Sequence, residues 1–118
     1  MADPQGLGRR GEDAAAAHLV QRGMTVVARN WRCRHGELDI VAREGATLVF
    51  CEVKTRRGLG YGSPLDAITV AKQTRLRTLV GHYLAEVGGH RGPIRIDAVG
   101  ILWPSGGEAL IDHRRGVA

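Results

Sequence analysis

Gly36-Glu37-Leu38-Asp39-Ile40-Val41-Ala42 and, after a short turn, Leu48-Val49-Phe50-Cys51-Glu52-Val53-Lys54-Thr55 decide the fold of this chain. Both read as strands, yet they carry four charged residues where a sheet normally buries apolar ones. A charge in such a strand is costly unless it is paired, hydrogen-bonded or holding a metal. Between them, Glu44-Gly45-Ala46-Thr47 has Gly-X at the two central positions, which suits a type II′ hairpin turn. That turn pairs Glu44 with Thr47. Counting back sets Asp39 opposite Glu52 and Glu37 opposite Lys54, and opposed residues share a face. All four polar side chains are then expected on one side of the sheet, with Val41 and Phe50 beyond them toward the turn. A three-residue loop would put Asp39 and Glu52 on opposite faces.

Upstream, Leu7 to Arg22 reads as a helix ended by Gly23. At about 100° per residue, Gly8, Ala15, Ala16 and Leu19 share a face with Glu12, which therefore points toward the sheet. Met24 to Arg29 is a short strand, and Arg29 to Gly36 a basic loop around Trp31. Downstream, 56–62 is a mobile, basic, glycine-rich loop. Ser63-Pro64-Leu65-Asp66 has helix-start character and Thr69 is a second N-cap candidate. A long helix then runs to about Val87, with Leu76, Leu79, Val80, Tyr83, Leu84 and Val87 on one stripe. Pro93 to Trp103 is an apolar strand carrying Asp97, expected to be structural, and Glu108 to His113 is an edge strand. The order α-β-β-β-α-β-β predicts an α/β fold, a mixed sheet flanked by helices.

The 118 residues fit one domain over 1–118. Apolar content of 43% and charged content of 25% exclude a disordered, collagen-like or membrane-spanning chain. No apolar run approaches the roughly 20 residues that cross a bilayer. Met1 to Gly6 lacks the apolar core of a signal peptide, so we expect a cytoplasmic protein with no membrane partner. Cys33 and Cys51 have no zinc spacing, and Cys51 reads as a small core hydrophobe. The net charge of +5 suggests a polyanion such as DNA or RNA. Of the 17 cationic residues only Lys54 and Lys72 are lysines, so a lysine inside a strand is not routine surface chemistry here.

Asp39 and Glu52 are hard carboxylates on adjacent strands, suited to share one Mg²⁺, with Mn²⁺ as a substitute. The backbone carbonyl of Val53 is a third candidate ligand. Lys54, on the same face as Glu52, is placed to orient a water or stabilise developing phosphorane charge. Glu12 would bind the metal directly, through water, or hold a second ion. Glu37 reads equally as a ligand or as a partner for Lys54 or an arginine. Arg32, Arg34, Arg56, Arg57 and Lys72 are candidate phosphate contacts. For Lys72, a side chain merely snorkelling from the helix is the alternative. Trp31 either stacks on a base or packs over the sheet end. His18, His82, His90 and His113 show no ligand spacing.

Asp39, Glu52 and Lys54 resemble the D…(D/E)-x-K core of the restriction-endonuclease-like nuclease superfamily. Gly11-Glu12, Gly36-Glu37-Leu38-Asp39, Phe50 to Arg56 and Lys72 together resemble the bacterial YraN family, over about Gly8 to Val99. That family is similar to archaeal Holliday-junction resolvases of the Hjc type. Leu38 stands where the superfamily pattern places proline. The resemblance implies a restriction-endonuclease-like sheet with helices on both sides. It also implies metal and catalytic roles for Glu12, Asp39, Glu52 and Lys54, and cleavage leaving a 5′-phosphate. The expected function is a metal-dependent DNA endonuclease acting on branched or otherwise structured DNA. A branched substrate would require two symmetric cuts and so a homodimer. The alternatives are a nucleic-acid-binding module of the same fold that does not cut, and a scaffold whose buried charges only pair with each other.

Overall fold

The computed structural model describes residues 4–58, 60 and 62–118. The start of the N-terminal segment (1–3) and two positions of the expected glycine-rich loop (59 and 61) lie outside the described residues. The elements are α1 (Pro4–Gln21), β1 (Thr25–Cys33), β2 (Gly36–Glu44), β3 (Thr47–Arg56), a short 3-10 helix (Pro64–Ala67), α2 (Val70–Glu86), β4 (Ile94–Leu102) and β5 (Leu110–Arg114). They form a five-stranded mixed sheet in the order β1-β2-β3-β4-β5. Only β3 and β4 run parallel, and α2 makes the crossover a parallel pair requires.

Alternation along β3 builds two cores. Val49, Cys51 and Val53 pack with Ile40, Ala42, Val99 and Ile101 against Ala15 and Leu19 of α1. Leu48 and Phe50 pack with Leu38, Val41 and Ile96 against Leu76, Leu79, Val80 and Tyr83 of α2. The helices thus cover opposite faces, and both faces of the central strand are apolar as its sequence requires. Gly11 lets α1 sit close: a β-carbon there would run into the Thr55 hydroxyl of β3. Cys51 is buried and free, its thiol pushed up chiefly by burial.

The hairpin turn is as expected. Glu44 pairs with Thr47 and the register runs to Ile40 opposite Cys51. Gly45 has φ 59° and Ala46 has no left-handed φ, the II′ pattern.

Both expected helix starts are present. Ser63 N–H donates to Asp66 Oδ2 at 2.9 Å and opens a separate 3-10 helix. Thr69 caps α2, its Oγ1 accepting from Lys72 N–H at 3.2 Å. Three readings need correction. First, β1 continues to Cys33, through what reads as a basic loop, because it pairs with β2 as far as Cys33 opposite Gly36. Its polar run hides an exposed edge strand. Second, Val87 is half exposed beyond the end of α2 and leaves the apolar stripe. Third, the strict alternation assumed along β2 breaks at Asp39. Leu38 and Ile40, two residues apart, pack in opposite cores. The β1–β2 ladder runs Arg29 to Ile40 and then Trp31 to Leu38, passing over Asn30 and Asp39. Asn30 has φ 52° at that point. The pair of strands rotates there, which sends Leu38 into the α2 core and turns Glu37 toward α1.

Candidate metal centre

The rotation at Asn30 and Asp39 assembles the acidic residues. One carboxylate oxygen from each of Glu12, Glu37 and Asp39 lies within 4.8 Å of the others. Glu12 comes from α1, which Gly11 lets approach β3; Glu37 and Asp39 come from the end of β2. All three are half-buried. Hard oxygen donors at this separation match what Mg²⁺ and Mn²⁺ select.

Beyond Ile40 and Cys51 the β2–β3 ladder stops, and a side chain takes over. Val53 N–H donates to Asp39 Oδ2 at 2.8 Å. In an extended strand the N–H and C=O of one residue point the same way, so the Val53 carbonyl opens toward the same gap. Asn30 Nδ2 donates to Glu12 Oε1 at 2.7 Å and to Glu37 Oε1 at 2.8 Å. Arg32 Nε pairs with Glu37 Oε2 at 3.0 Å.

The electrostatics record the crowding. Asp39 is raised to about 7, first by burial and then by Glu52, with Glu12 and Glu37 adding; the Val53 amide opposes the rise. Burial raises Glu52, Lys72, Lys54 and Arg75 pull it back, and Glu12 adds to the rise. Burial, then Lys72 and Arg56, hold Lys54 below the ordinary lysine value, while Glu52 and Asp39 work against them. An excess of carboxylates whose charged forms are held back is a donor set that a hard cation would relieve.

Asp39 and Glu12 meet, and Glu37 joins them. Glu52 stands outside that trio, although its charge acts on Asp39. The four polar residues expected on one face spread around the site: Glu37 and Asp39 reach Glu12 of α1, while Glu52 lines a cleft with Lys72, Arg75, Leu76 and Leu79 beside α2. Glu37 borders that cleft too and bridges the two sides. Lys54, Arg56 and Arg57 border a cleft of about 490 Å³ with Glu12 and Gly8. Arg32 and Arg9 border a second, of about 480 Å³, that meets the first at Glu12. Arg34 is exposed and its Nε donates to His35. Trp31 is committed inward: its indole N–H donates to Glu86 at 2.6 Å and its ring stands edge-on to Tyr83. Asp97 is structural, fully buried and held by Arg95, His113 and the Gly116 amide.

Sequence reasoning missed Asn30, Arg9 and Arg75. Arg75 follows Lys72 by three residues, so helical spacing alone could have placed both on one face. Nothing local marks Asn30, whose role depends on a left-handed φ and on two partners distant in sequence.

Fold and site together define a basic α/β protein with acidic residues gathered where two central strands part. The chain belongs to the uncharacterised protein family UPF0102, whose family model matches residues 11–101. It is similar to a UPF0102 protein of Clavibacter michiganensis subsp. michiganensis, 55% identical over 112 residues and covering 95% of each chain. A UPF0102 protein of Streptomyces griseus subsp. griseus is 53% identical over 113 residues, again 95% of each. One of Nocardia farcinica is 50% identical over 117 residues, 99% of this chain and 92% of the relative. The YraN-like resemblance holds at the level of the family. Among the described residues, no helix is long and apolar enough to cross a membrane.

Proposed function

We propose that this protein is a metal-dependent DNA endonuclease of the restriction-endonuclease-like class. The observation that carries the reading is the convergence of Glu12, Glu37 and Asp39 next to the Lys54 cleft. Asp39, Glu12 and Glu37, with Glu52 and the Val53 carbonyl, are the residues that would hold Mg²⁺ or Mn²⁺. When bound, such an ion neutralises phosphate charge and acidifies a water. The protein's own groups supply the rest. Lys54 offers an ammonium to the oxygen charge that builds as water adds to phosphorus and the bond to the 3′ oxygen breaks, leaving a 5′-phosphate by analogy with the superfamily. Arg56 and Arg57 on one side, Arg9 and Arg32 on the other, and Lys72 with Arg75 beside Glu52 offer cations to the flanking phosphates. Branched DNA is the substrate we favour, cut by a homodimer in the cytoplasm.

One observation supports a second reading, a nucleic-acid-binding module that does not cut. Each carboxylate of the trio already has a partner within the protein: Asn30 for Glu12, Asn30 and Arg32 for Glu37, Val53 for Asp39. Calorimetry with Mn²⁺, run beside a cleavage panel of duplex, flap, single-strand and four-way-junction DNA, separates the two. The nuclease reading expects metal binding and Mg²⁺-dependent cleavage, both lost in Glu52→Ala. If Glu52→Ala changes neither, the nuclease reading fails.

A further inference from the structure

Asn30 sits where the sheet reverses its alternation, and it touches two of the three converging carboxylates. It is the only non-glycine with a left-handed φ among the described residues. Asparagine tolerates that region better than other side-chain-bearing residues because its short amide can bond locally. Here the amide reaches across instead. A primary amide carries two N–H donors. Asn30 contributes Nδ2 to Glu12 on α1 at 2.7 Å and to Glu37 on β2 at 2.8 Å. It therefore ties together two like-charged groups from separate elements, opposite the strand position of the third, Asp39.

We propose that Asn30 is the positioning residue of the metal centre, holding Glu12 and Glu37 in the arrangement a divalent cation needs. The inference rests on the metal-dependent reading above. A lysine or arginine in this place would neutralise the pair and compete with the cation. An amide holds the two carboxylates by its dipole and adds no cation beyond the Arg32 already paired with Glu37. Each carboxylate keeps further lone pairs after accepting one such bond. Outer hydrogen-bonding partners of this kind orient ligands, and losing one typically lowers metal affinity by about 10–100-fold.

The test is calorimetry on the full chain with Mn²⁺ alone as the probe, paired with thermal unfolding in chelator and in Mn²⁺. Asn30→Gly keeps a residue suited to left-handed backbone and removes only the amide. It is expected to bind Mn²⁺ about 10-fold or more weakly than wild type, with little change in its unfolding midpoint in chelator. Asn30→Asp is isosteric and adds another carboxylate. It is expected to unfold at lower temperature in chelator and to gain more from Mn²⁺ than wild type does. If both variants bind Mn²⁺ within about twofold of wild type while Asp39→Asn loses binding, Asn30 is merely structural and the inference falls with the metal site intact. If wild type itself binds no Mn²⁺, the metal reading falls and takes this inference with it. Should Asn30→Gly fail to fold, the Asn30→Asp comparison decides alone.

Discussion

The Asp39 carboxylate stands in for a strand. It accepts the Val53 amide at 2.8 Å just past the last ladder pair, Ile40 and Cys51. One side chain thereby closes the backbone of β3 and faces the charges of Glu12, Glu37 and Glu52. Its structural and chemical duties are separable by substitution. Asp39→Asn keeps an oxygen acceptor for Val53 and removes the charge, so folding stability at neutral pH should hold or rise while Mn²⁺ affinity is lost. Asp39→Ala leaves the Val53 amide without that acceptor and should cost about 1–3 kcal/mol in chemical denaturation.

Acidity gives a second check. Asp39 is raised to about 7 in the folded protein from 3.8, so between those values the folded state holds a proton that the unfolded chain has released. Stability from this group is full below about 4 and is lost as pH rises through about 7. His18 runs the other way: its lowered pKa makes stability rise with pH near its ordinary value of 6.5. The difference between wild type and Asp39→Asn isolates the carboxylate. That difference should widen steadily from pH 4 to 7 in chelator and shrink when Mn²⁺ is added. A flat difference would show that Asp39 is not raised.

Lys54 and Glu52 should fail differently. Lys54→Met removes an ammonium that assists only as phosphorane charge develops, so cleavage should drop about 10²–10³-fold with Mn²⁺ affinity retained or improved. Glu52→Gln should lose affinity and cleavage together. Single-turnover assays at saturating Mn²⁺ beside calorimetry distinguish the two patterns.

Gly11 couples packing to the site. An added β-carbon at Gly11 would overlap the Thr55 side chain, so Gly11→Ala must push α1 off β3. Overpacking of this kind costs about 1–3 kcal/mol and would carry Glu12 away from Glu37 and Asp39. The expected result is a lower unfolding midpoint together with weaker Mn²⁺ binding. Thr55→Gly in the same chain clears the β-carbon space and should recover part of the affinity.

Asp97 is the opposite case, a buried carboxylate outside the site. Arg95 donates to it at 2.8 and 3.0 Å, His113 Nε2 lies at 2.9 Å and the Gly116 amide donates at 3.1 Å. Those bonds tie down the chain end and hold its pKa low against the effect of burial. Asp97→Ala should cost about 3 kcal/mol, near the lower end for breaking a buried pair because Arg95 keeps Glu44. Mn²⁺ affinity should be unaffected, which calorimetry at a temperature where the variant is folded will show.

The amino-acid sequence by itself determined the element order, the hairpin register through Gly45 and the two apolar faces of β3. All three follow from period-2 patterning and local turn chemistry, which act over a few residues. It also singled out Glu12, Asp39, Glu52 and Lys54, because charge among buried apolar residues is locally conspicuous. Tertiary structure alone decided which of them meet. The extension of β1 to Cys33 rests on pairing with β2, and the rotation at Asn30 shows in no local pattern. Yet that rotation brings Glu37 beside Glu12 and Asp39, while Glu52 acts on Asp39 from the neighbouring strand. The left-handed Asn30 stands where the side chains reverse, and the carboxylates its amide reaches lie 7 and 18 positions away along the chain.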